Sequence, residues 1–149
     1  MSSELAEVLT RARQSGDPDG LVQWVPYARF IGVHAQLIDG ELIATMSYRD
    51  QLIGNPALPA LHGGTVGSLL ESAAVFELLW SRETVLLPRI INITVDYLRS
   101  GKPVATHARG VVTRSGRRIA NVRAEAWQDD RARPIATAQA HFLLVAPDE

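Results

Sequence analysis

A glutamate interrupts an apolar stretch near the middle of this 149-residue sequence. Glu71 lies nine residues after His62, which is followed directly by Gly63 and Gly64. An ionised carboxylate that is buried without a partner costs several kcal/mol, so Glu71 either reaches the surface or has a chemical role. A carboxylate that is half-buried beside apolar residues is suited to act as a general base or a nucleophile. The sequence therefore predicts such a role for Glu71, with a surface glutamate as the alternative.

The residues around Glu71 have the spacing of a helix over residues 63–80. Glu71 lies beside the apolar stripe of this helix, on a flank that it shares with Ser72, so we expect it to line a cleft at the edge of the buried face. The stripe itself consists of Val66, Leu69, Leu70, Ala73 and Ala74.

The first turn of this helix is rich in glycine. Without side chains at Gly63 and Gly64, the backbone N–H groups are open to a ligand, and the positive end of the helix dipole favours an anion or an oxyanion. The alternative is that the glycines only allow the helix to pack closely on a sheet. Gly64 and Glu71 are about 10 Å apart along the axis, so one carbonyl carbon cannot readily meet both in a single helix. Two copies of the helix in a symmetric dimer would bring the amides of one protomer to the carboxylate of the other.

The remaining elements predict an α+β fold in which an antiparallel sheet surrounds one long helix. Asp39-Gly40 is typical of a tight hairpin, and the alternation that begins near Ile91 is typical of strands. We expect one domain over residues 1–149, of which 1–24 form an N-terminal helix and a connector. The predicted helices are 3–14 and 63–80, and the predicted strands lie near 31–38, 41–48, 91–98, 103–114, 117–128 and 134–145.

The net charge is close to zero, but the basic residues are unevenly distributed. Between residues 99 and 133 there are nine Lys and Arg and only three Asp and Glu, an excess that could receive an anionic ligand. The turn with Arg114, Arg117 and Arg118 is the best candidate for binding phosphate groups, since arginine donates to phosphate in a planar, bidentate manner. A solvated hairpin tip is the alternative. No pattern of a nucleic-acid-binding module accompanies these residues, so no nucleic-acid partner is expected.

Several other classes of function are excluded by composition. The sequence has no cysteine, which rules out disulfides, thiolate zinc sites and a cysteine nucleophile. His34, His107 and His141 lack the spacing of metal ligands, so no metal site is expected. No apolar run is long enough for a membrane span, and the first residues do not resemble a secretory signal. We therefore expect a cytoplasmic protein without a membrane partner.

Asn55, the His62-Gly63-Gly64 run and Glu71 together resemble the motif of hotdog-fold acyl-CoA thioesterases of the phenylacetic-acid-degradation type. The resemblance covers roughly residues 25–145 and includes the order of helix and strands. It implies a hotdog fold, with the long helix enclosed by the sheet, and homodimers that often pair into tetramers with active sites at the dimer interface. It also implies hydrolysis of an acyl-CoA thioester to CoA and a carboxylic acid, with no cofactor because CoA is part of the substrate.

The resemblance also implies a role for each residue of the motif. Glu71 would be the nucleophile or the base that activates water, and the Gly64 amide would polarise the thioester carbonyl. His62 and Asn55 would position the substrate or the water. Gly63 and Ser72 would contact the substrate, with Ser72 a candidate for holding the water.

Two other functions remain open at this point. A hydratase or dehydratase of acyl thioesters is one, because the loop over residues 54–59 is similar to that of acyl-carrier-protein dehydratases. However, Gln51 and Thr65 occupy the positions where those enzymes have their catalytic histidine and acid. A non-catalytic acyl-thioester-binding module is the other, and it would keep the pocket and the dimer without depending on Glu71.

Overall fold

A computed structural model describes residues 2–82 and 85–146 of the chain. Three helices come first: α1 (Ser2–Ser15), α2 (Asp19–Trp24) and α3 (Pro26–Phe30). The predicted N-terminal helix is confirmed as α1, whereas α2 and α3 were not predicted. Pro26 occupies the first turn of α3, where its fixed φ favours a helix and its missing N–H is not needed.

Six strands form the main sheet, in the order β1-β2-β6-β7-β8-β5, and every neighbouring pair is antiparallel. Asp39 and Gly40 both have positive φ and connect β1 to β2 as the predicted two-residue hairpin. A separate short hairpin, β3 with β4, precedes the long helix. The strands are β1 (Val33–Ile38), β2 (Glu41–Met46), β3 (Ile53–Asn55), β4 (Ala60–Leu61), β5 (Leu87–Tyr97), β6 (Thr106–Ser115), β7 (Ile119–Trp127) and β8 (Ala136–Val145).

The long helix α4 (Gly63–Ser81) contacts five of the six strands of the main sheet. Its predicted apolar stripe is buried as expected. At the closest point, a Cβ on Gly110 of β6 would lie 3.0 Å from the carbonyl oxygen of Ala73 and 3.1 Å from Cα of Ala74. The helix therefore packs directly on the backbone of the sheet, and the predicted arrangement of one long helix and an antiparallel sheet is confirmed.

The N-terminal helices pack on α4 as well. Arg13 of α1 donates a hydrogen bond of 2.7 Å to the carbonyl of Leu79, near the end of α4. Tyr27 of α3 reaches the other end, where its hydroxyl lies 3.0 Å from Oγ of Ser68. Leu5, Leu9, Leu21 and Val22 are almost fully buried beneath α1 and α2.

Strand β5 forms one edge of the main sheet. It runs for 11 residues, pairs with β8 and, among the described residues, has no strand on its other side. Ile90, Ile91 and Tyr97 are exposed along it. A long edge with exposed apolar side chains is a surface on which another strand can pair. Over the described parts of the chain, no helix is both long and apolar enough to cross a membrane.

Candidate active site

The first turn of α4 is held by the imidazole of His62. This residue is the N-cap of the helix, and its Nδ1 accepts a hydrogen bond of 2.9 Å from the Gly64 amide. Because Nδ1 accepts, a neutral ring carries its proton on Nε2. His62 is exposed, and Nε2 has no hydrogen-bond partner among the described residues.

The Gly63–Gly64 peptide is bound at both ends. The Tyr97 hydroxyl donates a hydrogen bond of 2.8 Å to the Gly63 carbonyl, while the Gly64 amide is engaged by His62. The Tyr97 ring also lies 3.4 Å from where a Cβ would stand on Gly63, and its hydroxyl oxygen lies 3.4 Å from where a Cβ would stand on Gly67. We expected both glycine amides to be open, but only the Gly63 amide is without a hydrogen bond to any residue in 2–82 and 85–146.

The β3–β4 hairpin places Asn55 and His62 at the same end of α4. The His62 amide donates to the Leu52 carbonyl at 2.8 Å, and β3 passes so close that a Cβ on Gly54 would lie 2.6 Å from Cα of His62. Asn55 is exposed, and its Oδ1 accepts a hydrogen bond of 3.0 Å from the Ala57 amide. This contact turns the chain directly after β3.

Glu71 lies half-buried in a cleft of about 220 Å³ between α4 and the helices α2 and α3, which we call the Glu71 cleft. Ser72 lines the same cleft, as does the hydrogen-bonded pair of Tyr27 and Ser68. Within the described part of the chain, the Glu71 carboxylate has neither a hydrogen bond nor an ion pair, so it is free to act on a ligand. The remaining lining residues are apolar: Leu21, Trp24, Val25, Val75, Phe76 and Leu79.

One chain does not bring all the predicted groups together. Gly63 and Glu71 are eight residues apart on α4, which corresponds to about 12 Å along the axis. Their functional atoms are therefore too far apart to meet on one carbonyl carbon within a single copy.

The arginine turn lies at the far end of α4. Ser115, at the end of β6, is hydrogen-bonded to the guanidinium of Arg82, which is the C-cap of α4. Arg114, Arg117 and Arg118 are exposed there, roughly 28 Å along the helix axis from His62 of the same chain.

A different set of basic residues is close to the glycines. Arg99 lines a cleft of about 350 Å³ together with Gly63 and Tyr97, and a neighbouring cleft adds Lys102 and Arg133. These three residues belong to the basic excess of residues 99–133 but were not predicted as part of the site. Tyr97 was not predicted as a site residue, because its contact with Gly63 bridges 34 positions of sequence.

A second glutamate of α4 lines a separate cleft. Glu77 faces Glu41 and Arg109 where β2 and β6 are not paired, in a space of about 390 Å³. Burial raises the pKa of the Glu77 carboxyl, and the negative charge of Glu41 adds to this effect. Glu41 itself is bound by Arg109 at 2.6 Å and by Arg131 at 2.8 Å, and the hydrogen bond from Arg131 is the main cause of its lowered pKa. In the residues that the structure describes, no group of three His, Cys, Asp or Glu is arranged to hold a metal ion.

Comparisons with known proteins identify the family and the fold of this chain. The family model described as acyl-CoA thioesterase N-terminal domain matches residues 54–143, which contain α4, β5, β6, β7 and most of β8. The medium/long-chain acyl-CoA thioesterase YigI of Escherichia coli K12 is 30% identical over 138 residues, covering 83% of this chain and 88% of that protein.

Solved structures are also similar to this chain over most of its length. A protein from Chromobacterium violaceum is 36% identical, with a TM-score of 0.75 and coverage of 97% of this chain and 98% of that one. A phenylacetic acid degradation-related protein from Ralstonia eutropha JMP134 is 25% identical, with a TM-score of 0.70 and coverage of 80% and 90%. The predicted hotdog fold and thioester hydrolase activity are therefore confirmed, and the chain belongs to the acyl-CoA thioesterase family.

Proposed function

We propose that this chain hydrolyses medium- or long-chain acyl-CoA to CoA and a carboxylic acid, with Glu71 as the reacting carboxylate. The observation that carries the proposal is that Glu71 has no partner among the described residues although it lies in a largely apolar cleft. Glu71 either attacks the thioester carbonyl or removes a proton from the water that attacks it. The chain length is suggested by the name of the E. coli relative.

The developing oxyanion needs a donor that is free and correctly oriented. The family resemblance implies this role for the Gly64 amide, but that N–H is engaged by His62. The Gly63 amide belongs to the same helix turn and has no hydrogen bond within the described ranges, so we propose Gly63 as the donor. His62 Nε2–H is then placed to donate to the substrate, and Asn55, on the same hairpin, to position the substrate or the water.

The distance between Gly63 and Glu71 supports a site that is shared by two copies of the chain. The free edge of β5 is suited to pair with β5 of a second copy about a twofold axis, which would extend the sheet and place two α4 helices antiparallel. Glu71 of one copy would then face Gly63 and His62 of the other. Pairing of such dimers into tetramers is the assembly that the family resemblance implies.

Mixing two inactive variants tests this arrangement. If Glu71 and His62 act in different copies, an equal mixture of Glu71→Ala and His62→Ala that is unfolded and refolded together regains about a quarter of wild-type activity. Half of the dimers would be mixed, and each would contain one intact site. If the two residues act within one copy, the mixture stays inactive.

The phosphates of CoA have two candidate positions. In an antiparallel pair, the turn with Arg114, Arg117 and Arg118 of one copy would lie beyond the start of α4 of the other copy. The alternative is the group near Gly63 that contains Arg99 and Arg133. Replacing each set by alanine distinguishes them, because loss of the phosphate contacts should raise KM for acyl-CoA much more than KM for an acyl-pantetheine substrate that lacks the nucleotide.

Substitution of Glu71 tests the reaction itself. Glu71→Gln keeps the size of the side chain and removes its charge, so hydrolysis measured by thiol release should fall by orders of magnitude. Binding of a non-hydrolysable CoA thioether should survive. Unchanged hydrolysis would remove Glu71 from the mechanism, and a wild type that binds but hydrolyses no acyl-CoA across a broad panel would favour a binding module. Label on Glu71 after a single turnover in ¹⁸O-water identifies Glu71 as the nucleophile, because water that attacks the glutamyl carbon of the mixed anhydride leaves its oxygen on Glu71, whereas a base takes up none.

A further inference from the structure

The Glu71 cleft changes in character along α4. Its helical lining positions are Ser68, Glu71 and Ser72 at the end near His62, and Val75, Phe76 and Leu79 at the other end. These positions have the three- and four-residue spacing of a single helix face. The cleft is therefore polar near Glu71, where a thioester would react, and apolar beyond it. An acyl thioester has the same arrangement, with a polar carbonyl group at one end and a hydrocarbon chain beyond it.

The length of the apolar part limits the chain that fits. Glu71 and Leu79 are eight residues apart, about 12 Å along the axis. A carbon–carbon bond of about 1.5 Å advances an extended chain by roughly 1.3 Å, so this distance corresponds to about nine bonds. A chain of eight to ten carbons, roughly, would therefore fill the cleft.

Trp24 lines both this cleft and a second one. The second is a groove of about 560 Å³ between α1 and α2. The indole donates a hydrogen bond of 3.1 Å from Nε1 to the carboxylate of Glu4. Val8, Ala12 and Trp24 give the groove an apolar wall that a hydrocarbon chain can contact, and its polar lining residues are Arg11, Ser15, Asp17 and Gln23.

We infer that the acyl chain of the substrate occupies the Glu71 cleft and that Trp24 sets its maximum length by closing the passage to the α1–α2 groove. This inference rests on the proposed function, because it takes Glu71 as the group that meets the thioester. Trp24 is a specificity-determining residue and takes no part in the chemical step. Removing its indole joins the two clefts and gives a longer chain room to continue.

The test is the ratio of kcat/KM for hexadecanoyl-CoA to that for octanoyl-CoA, measured by thiol release. Each methylene that enters an apolar site is worth about a fourfold gain, so two or more additional methylenes should raise this ratio at least about tenfold in Trp24→Ala. Trp24→Leu keeps a smaller apolar side chain at this position and should raise the ratio by less. It replaces Trp24→Ala in the test if that variant does not fold. Val75→Phe fills the cleft from the opposite side and should lower the ratio.

Trp127→Ala is the matched control. Trp127 lies on β7 and lines neither of the two clefts, so its truncation should leave the ratio unchanged. An unchanged ratio in folded Trp24→Ala and Trp24→Leu, while Glu71→Gln is inactive, overturns the inference and leaves the proposed function standing. Full activity of Glu71→Gln would instead show that the proposed role of Glu71 is wrong.

Discussion

Replacing Gly54 by alanine should displace His62, the residue proposed to donate to the substrate, without substituting His62 itself. Gly54 lies on β3, which crosses His62 so closely that the new Cβ would lie 2.6 Å from Cα and 2.8 Å from Cβ of that residue. Carbon atoms are in favourable contact at about 3.5–4.0 Å, so β3 and His62 must separate by about 1 Å. The atoms that collide are backbone and Cβ atoms, so no side-chain rotation can relieve the contact.

This displacement has a cost in stability and a larger cost in activity. Overpacking of this kind lowers the free energy of unfolding by about 1–3 kcal/mol. His62 also caps α4 through Gly64, and loss of a cap adds about 1 kcal/mol. A misplacement of 1 Å in an active site reduces the rate on the order of 100-fold. We therefore expect kcat/KM of Gly54→Ala to fall by about that factor in a protein that is still folded at 25 °C.

Urea unfolding and thiol release measure the two effects separately. Gly20→Ala is the matched control, because no atom lies within 4 Å of its added Cβ. Gly20 lies in α2, so this change should leave stability equal or slightly higher and activity unaffected. Activity of Gly54→Ala within twofold of the wild type would refute the argument that β3 fixes the position of His62.

Three further predictions concern Tyr97, Gly110 and Glu77. Tyr97→Phe removes the hydrogen bond to the Gly63 carbonyl, so the free energy of unfolding in urea should fall by about 0.5–1.5 kcal/mol; an unchanged free energy of unfolding contradicts this. Gly110→Ala brings a Cβ to 3.0 Å from the Ala73 carbonyl oxygen and should lower the free energy of unfolding in urea by about 1–3 kcal/mol; full stability would show that α4 can move off the sheet. Burial raises the pKa of the Glu77 carboxyl in the folded protein above its ordinary value. At a pH between these two pKa values, the native state binds more protons than the unfolded state. The free energy of unfolding therefore falls as pH rises through this window. Urea unfolding should therefore show that Glu77→Gln is more stable than the wild type above this window, and the difference should shrink toward pH 4. Equal stability of the two proteins at pH 8 would refute this prediction.

Long periodic segments of the fold were predictable from sequence, and short ones were not. The helix over 63–80 and the hairpin at Asp39-Gly40 carry strong local patterns, and both are confirmed. Helices α2 and α3 have only six and five residues, too few for a periodic pattern to be seen, and glycines and prolines surround them. Strand β5 begins at Leu87, four residues before the predicted alternation, and includes Pro88. A proline is tolerated there because β5 is an edge strand, which the sequence alone does not reveal.

The site shows the same division between local pattern and long-range contact. His62, the two glycines and Glu71 are placed relative to one another by their spacing along one helix, so their arrangement was predictable from the sequence. The residues that surround them come from other elements: Tyr97 from β5 and Gly54 from β3 contact the start of α4, and Trp24 from α2 lines the Glu71 cleft. No residue type marks these contacts in the sequence, because each depends on how distant segments pack.

The choice between the two glycine amides shows why packing matters for the chemistry. Both amides belong to the first turn of α4, and in sequence they are equivalent candidates for an oxyanion donor. Once folded, Tyr97 and His62 bind the two ends of the Gly63–Gly64 peptide, which fixes the turn and occupies the Gly64 amide. The Gly63 amide is oriented by the same contacts while keeping its own hydrogen free of the described residues. A donor that is fixed before the substrate arrives needs no reorganisation in the transition state. In the proposed mechanism, the contacts that occupy the Gly64 amide therefore also prepare the Gly63 amide to donate.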